Sequence, residues 1–269
     1  MSATTSAGSA FEFESPSGQS GQRILLYGPG GVGKSTLASL IDGVVFIDLD
    51  GTVNAINQVR SESSLSPVRR VKPDQVYNWQ TLRQALHRPE LFNGVNAIVI
   101  DSAKPLQEWA LAHTLANVPH EKGHKVSSIE DYGYGKGWQF VYDTIVPLLG
   151  DLDIHAQAGR HVIIISHAVT DTAPNPFGED YQRYEPDLNK PPKIGRVRDR
   201  VIAWADHVLF ATFDVFVNEK GKGQGGSTRT VYAMPGASHI AKTRSLRENV
   251  PYDEGSDQLW KLMGINKES

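Results

Sequence analysis

Nine consecutive residues, Gly28-Pro29-Gly30-Gly31-Val32-Gly33-Lys34-Ser35-Thr36, carry the types needed to grip a phosphate. They fit the spacing G-x-x-x-x-G-K-[ST] of a phosphate-binding P-loop. Glycines allow backbone N–H groups to turn inward and approach phosphate oxygens with no Cβ in the way. Lys34 would reach the β- and γ-phosphates, and the Ser35 hydroxyl would ligate Mg²⁺. The context fits as well. Ile24-Leu25-Leu26-Tyr27 reads as a buried strand, and Thr36 to Ile41 reads as a helix start whose free N–H donors add to the anion site.

Titratable residues close three further apolar runs or follow them directly, acids in two and a histidine in the third. Asp101 comes after Ala97-Ile98-Val99-Ile100. Behind a P-loop, such an acid holds Mg²⁺ beside the loop's Ser; the plainer alternative is a cap for the next helix. Asp48 and Asp50 lie at the end of Val44-Val45-Phe46-Ile47. Either could orient an attacking water, and Asp50 could equally be a turn residue before Gly51. His167 ends the run Val162-Ile163-Ile164-Ile165-Ser166, where a neutral imidazole could hydrogen-bond phosphate or water.

Two basic stretches follow. The segment after His167 contains Phe177, Tyr181, Arg183, Tyr184, Lys190 and Lys193, and residues 182–200 hold a surplus of three cations. Aromatics interleaved with cations suit single-stranded nucleic acid, because bases stack on rings while phosphates meet charge. An ordinary solvated loop would have the same composition. Later, Lys242-Thr243-Arg244 places two cations on one side of an extended segment. They could reach a nucleotide held by an adjacent subunit, or form a solvated basic patch.

Strands must place these residues. The four runs at 24–27, 44–48, 97–101 and 162–165 alternate with helical patterns, which predicts a mostly parallel sheet. Helices are expected over Trp79–Leu91, about Lys104–Asn117, from Trp138 through Pro147 to Leu152, and over 196–204. Residues 118–137 and 170–195 read as long irregular loops, the second with five prolines. Val208–Val217 and Thr230–Met234 flank a glycine-rich tip at 218–226, a β-hairpin signal, and Ser238–Lys242 reads as one more short strand. In open parallel sheets ligands bind at the carboxyl edge, so Gly28, Asp48, Asp50, Asp101 and His167 should gather on one rim.

Composition narrows the choices. A chain of 269 residues with 39% hydrophobic content is enough for one large α/β domain or two small ones. There is no cysteine, which excludes disulfides, thiolate zinc sites and a thiol nucleophile. The net charge of −3 rules out a generally basic nucleic-acid binder and leaves only a local patch. No apolar run approaches the ~20 residues of a membrane span, and the expected location is the cytoplasm. Residues 1–20, with Phe11 and Phe13, read as a flexible tail, 21–250 as the folded domain and 251–269 as a C-terminal tail.

The assembled pattern resembles the RecA superfamily of P-loop ATPases, and within it the phage-type ATP-binding proteins that include the Sak-type single-strand annealing proteins. Phe46-Ile47-Asp48-Leu49-Asp50 resembles F-I-D-A-E, whose last acid activates water, which maps that role onto Asp50 with a shorter side chain. Val99-Ile100-Asp101-Ser102 is similar to V-V-D-S. Ile164-Ile165-Ser166-His167 falls where that family has its γ-phosphate-sensing glutamine, and the following loop corresponds to a DNA-binding loop. Lys242-x-Arg244 resembles the K-x-R element of ring ATPases.

The resemblance implies a RecA-like core with a C-terminal β-hairpin extension. It implies ATP and Mg²⁺ as ligands, and single-stranded DNA as partner. A homo-oligomeric ring or filament follows, together with a single-strand-binding protein as a further partner. The location it implies is a bacterial host cytoplasm. Two alternatives stay open: an ATP-gated DNA-binding or assembly module with little turnover, and a P-loop kinase acting on a small molecule.

Overall fold

The structure, a computed structural model, describes residues 20–217 and 223–268. Phe11, Phe13 and residues 218–222 of the glycine-rich tip lie outside them.

The first half alternates strand and helix: β1 (Arg23–Gly28), α1 (Lys34–Ala38), β2 (Val44–Asp48), α2 (Val53–Glu62), β3 (Arg69–Arg70), α3 (Trp79–Leu86), β4 (Ala97–Asp101), α4 (Ala103–Asn117) and α5 (Lys136–Gln157). Then come β5 (His161–Ala173), β6 (Tyr181–Pro186), α6 (Val197–Trp204), β7 (His207–Val217), β8 (Gly223–Tyr232), β9 (Val250–Pro251) and α7 (Gln258–Leu262). The sheet order is β3-β2-β4-β5-β1-β7-β8-β9, with β6 paired to β5 alone. Pairing is parallel from β3 to β7 and antiparallel from β7 to β9. The expected α/β fold, a mostly parallel sheet flanked by helices with a C-terminal hairpin, is the one observed.

The parallel strands β1, β2 and β4, and β5 as far as Ile165, are apolar but for their ends because both faces are covered. Alternation divides their side chains between two cores. Leu25, Tyr27, Ile98, Ile100, Val162 and Ile164 pack under α3, α4, α5 and α6. Ile24, Leu26, Val99, Ile163 and Ile165 pack under α1, α2 and α7.

Four boundaries differ from the sequence expectations. The predicted helix Trp79–Leu91 stops at Leu86, and Pro89, which has no N–H to donate, opens a separate 3₁₀ turn over Pro89–Phe92. Helix α5, by contrast, runs unbroken through Pro147.

The segment 170–195 is not one irregular loop. β5 continues to Ala173 and pairs antiparallel with β6, from Ala168 opposite Pro186 to Ala173 opposite Tyr181. Its prolines fall in the turn, at the last pair or beyond, where no ladder donor is needed.

Ser238–Lys242 forms isolated bridges, Tyr184 with His239 and Val208 with Lys242, rather than a strand. Residues 251–268 are no tail either. Tyr252, Leu259, Trp260 and Met263 are buried in the second core, and α7 covers the sheet face there. Among the described residues, no helix is long and apolar enough to cross a membrane.

Candidate functional site

β5 lies between β1 and β4, pairing Gly28 with His167 on one side and Asp101 with Ile165 on the other. That register sets the P-loop, the acid of β4 and His167 side by side on the carboxyl rim. A cleft of about 350 Å³ opens there, lined by P-loop residues including Lys34, Ser35 and Thr36, and by Asp50, Thr52, Asp101, Ser102 and His167.

The loop has the form its sequence requires. Val32 is fully buried and pins it to the core, while Gly30 and Gly31 are exposed. Gly31 and Gly33 take φ of 77° and 93°, values that disfavour any residue with a Cβ. Lys34 is buried and its ammonium donates to the carbonyls of Gly28 (2.9 Å) and Pro29 (2.8 Å). Burial lowers its pKa to about 8, against the pull of the Asp101 and Asp50 charges.

Asp101 is 2% exposed. Burial raises its pKa, opposed by hydrogen bonds from Ser35 and Thr52 and reinforced by the nearby Asp50 and Asp48 charges. The Thr52 hydroxyl donates to its Oδ2 at 2.7 Å. The Asp101 carbonyl accepts from the Leu49 N–H (2.7 Å) and the Asp50 N–H (3.1 Å), which ties the tips of β2 and β4 together.

The two acids after β2 separate clearly. The Asp48 carboxylate is 1% exposed and pairs with Arg70 at 2.9 Å. It also accepts from the Thr52 N–H (2.8 Å) and the Val53 N–H (3.3 Å) at the start of α2. Asp48 is therefore a cap and an ion-pair partner, not a free acid for catalysis. Asp50 is exposed and lines the cleft. His167 is exposed there too, and its carbonyl accepts from the Asp187 N–H at 2.8 Å.

Ser102 was not singled out from the sequence. It stands at the N-cap of α4 but makes no capping bond, and its Oγ, buried in the cleft, has no partner among the described residues. A serine before a helix normally reads as a cap, so only the geometry sets this one apart. Thr52 was missed because its partner, Asp101, is remote in sequence.

The remaining candidates are dispersed. Phe177 is fully exposed at the β5–β6 turn and Tyr184 is 42% exposed, stacked on Phe210 at 5.2 Å. Tyr181 is half-buried at the start of β6, and Lys193 is exposed. Arg183 and Lys190 are not available as expected. Arg183 pairs with Glu185 at 2.8 Å, and Lys190 with Asp171 and Glu185 at 3.1 Å each. Arg198 joins the same carboxylates, so the antiparallel pairing gathers acids and cations into one network. Lys242 and Arg244 lie near the start of β7, away from the cleft's rim. Lys242 donates to the Ala203 carbonyl at 3.3 Å and Arg244 pairs with Asp206 at 3.2 Å.

A glycine nest with a buried lysine, set beside a buried strand-end acid on a parallel sheet, defines a P-loop nucleoside-triphosphatase. A family model described as an AAA domain matches residues 20–245, and the chain belongs to that AAA-domain family. No curated protein matches the chain.

Proposed function

We propose that this AAA-type domain binds Mg·ATP in the cleft, hydrolyses it, and uses the nucleotide state to control contact with single-stranded DNA, in phage-type recombination or strand annealing. The donor set fits the ligands. The open glycine nest and the Lys34 ammonium suit the phosphates, while Ser35 and the desolvated Asp101 carboxylate suit a divalent cation. Mg²⁺, when bound, neutralises charge that develops between the β- and γ-phosphates. Asp50 orients the attacking water and His167 contacts the γ-phosphate end.

One observation carries the coupling: His167 and the β5–β6 hairpin belong to one continuous strand, His161–Ala173. A shift of His167 toward phosphate is transmitted along that strand to the turn bearing Phe177. Because Arg183 and Lys190 are held by carboxylates, DNA contact falls to Phe177, Tyr181, Tyr184 and Lys193. Lys242 and Arg244, outside their own cleft, would serve a neighbouring copy in an oligomer.

The test is ATP turnover with and without single-stranded DNA, alongside a mass measurement. Stimulation together with a large assembly supports the proposal; turnover that requires a small-molecule acceptor instead identifies a kinase. The exposed position and short reach of Asp50 favour one second reading, an ATP-gated module with little turnover. It predicts that Lys34→Ala abolishes DNA binding while neither Lys34→Ala nor Asp50→Ala changes a negligible hydrolysis rate.

A further inference from the structure

The outer side of the P-loop and of α1 is hydrogen-bonded by residues far away in the chain. Tyr252 Oη donates to the Gly33 carbonyl at 2.9 Å, Trp260 Nε1 to the Leu37 carbonyl at 2.7 Å, and Asn266 Nδ2 to the Leu40 carbonyl at 2.9 Å. From β8, an Arg229 guanidinium N–H donates to the Val32 carbonyl at 3.3 Å. The same guanidinium lies 4.4 Å from the centroid of the Tyr252 ring and pairs with Glu254 at 3.3 Å. Tyr252, Trp260 and Asn266 all lie beyond residue 245, where the family match ends.

These bonds act on particular peptides. In a trans peptide the C=O and the following N–H point in opposite directions. Holding the Val32 carbonyl outward turns the Gly33 N–H inward, and holding the Gly33 carbonyl outward turns the Lys34 N–H inward. Gly33, at φ 93°, has little intrinsic preference to keep that orientation; its carbonyl also accepts the Leu37 N–H of α1 at 2.8 Å, and the phenol adds a second bond to the same oxygen. The Tyr252 phenol sits so close that a Cβ on Gly33 would come within 2.7 Å of its oxygen. Burial pushes that phenol up to about 12, so it stays an O–H donor at neutral pH. A hydrogen bond to each carbonyl also polarises its peptide and strengthens the N–H on the other side.

We propose that Arg229 and Tyr252 are positioning residues of the nucleotide site: they aim the Gly33 and Lys34 amides at phosphate, so the segment after residue 245 is a working part of the P-loop. The inference rests on the phosphate-binding reading of the cleft. Because the amides touch phosphate and not base, the effect is independent of the nucleobase.

The experiment is calorimetric titration of the full chain with Mg·ADP and with Mg·GDP, for the unaltered protein, Tyr252→Phe and Arg229→Met, with thermal unfolding of each in the absence of nucleotide. Tyr252→Phe removes one oxygen and keeps the ring, and should weaken both nucleotides by the same factor, about fivefold. Arg229→Met, which keeps an unbranched apolar stem beside the rings, should act in the same direction. Affinity within twofold of the unaltered protein in both variants, with or without a lower unfolding temperature, overturns the positioning role. Weakening confined to one base overturns it too. If the unaltered protein binds neither nucleotide, the phosphate-binding reading itself fails, a separate and recognisable result.

Discussion

Thr52 Oγ1 donates to Asp101 Oδ2 at 2.7 Å, while the Thr52 N–H donates to Asp48 Oδ1 at 2.8 Å. One residue thus ties the start of α2 to both buried acids and fixes the Asp101 carboxylate in the cleft. Thr52→Val keeps the shape and removes the hydroxyl. The expected result is an apparent Mg²⁺ affinity weakened about tenfold, with turnover recovering at high Mg²⁺. Turnover measured against Mg²⁺ concentration checks this, and an unchanged curve counts against it.

Ser102 offers a cleaner variant. Its Oγ has no partner among the described residues, so Ser102→Ala breaks no hydrogen bond inside the protein. The unfolding temperature should stay within about 2 °C, while ATP turnover falls because a cleft hydroxyl is lost. Equal turnover would remove Ser102 from the site.

Asp48 and Asp50 should behave in opposite ways. Asp48→Asn leaves Arg70 without its buried partner and should cost about 3 kcal/mol of stability in denaturant unfolding. Asp50→Asn should leave stability and Mg·ATP affinity almost unchanged and lower turnover about 100-fold. If Asp48→Asn abolished turnover in a fully stable protein, the assignment would be reversed.

The depressed Lys34 pKa makes nucleotide binding pH-dependent. Lys34 without nucleotide sits near 8, below its ordinary value, because burial disfavours the ammonium. Phosphate favours the charged form and raises that value in the complex. Binding is therefore strongest below pH 8 and weakens as pH rises through it, with net proton uptake on the alkaline side. Titrations of Mg·ADP between pH 7 and 9.5 in buffers of different ionisation enthalpy measure both quantities. The Lys34→Ala variant should lose the uptake.

Glu185 anchors the hairpin. Burial works to raise its carboxyl pKa, but hydrogen bonds from Arg198, Arg183 and Lys190 outweigh it and hold the group below the usual range. A depressed carboxyl stabilises the fold above its unfolded-state pKa, and this contribution is lost as pH falls through the folded value. Glu185→Gln should cost about 3 kcal/mol at pH 7 and flatten the loss of stability in acid. Chemical unfolding at pH 7 and pH 4 checks both.

What the sequence disclosed followed from distance along the chain. Residues 28–36 form the P-loop from a contiguous stretch, and Asp101 is marked by the apolar run before it, so both were legible. The strand end offered both Asp48 and Asp50 and the resemblance favoured Asp50; the ion pair that occupies Asp48 was hidden, because Arg70 arrives from β3 only after folding. The β5–β6 hairpin was hidden because its prolines read as loop, whereas they lie in the turn, at the last pair or beyond it, where no donor is required. Three of the six cations counted over 182–200, Arg183, Lys190 and Arg198, are paired by Asp171 and Glu185 across that same hairpin. The C-terminal segment looked like a tail because Leu259, Trp260 and Met263 are few and widely set among polar residues; their burial needed the sheet face that α1 leaves open.

In the proposed function everything depends on the nest at Gly28–Thr36 and the Lys34 ammonium holding a nucleoside triphosphate. Equilibrium binding of Mg·ATP to the unaltered protein and to Lys34→Ala tests it most directly. The expected result is saturable one-to-one binding that Lys34→Ala weakens at least about 100-fold while the protein remains folded. Absence of binding by the unaltered protein, or equal affinity in the variant, would contradict it.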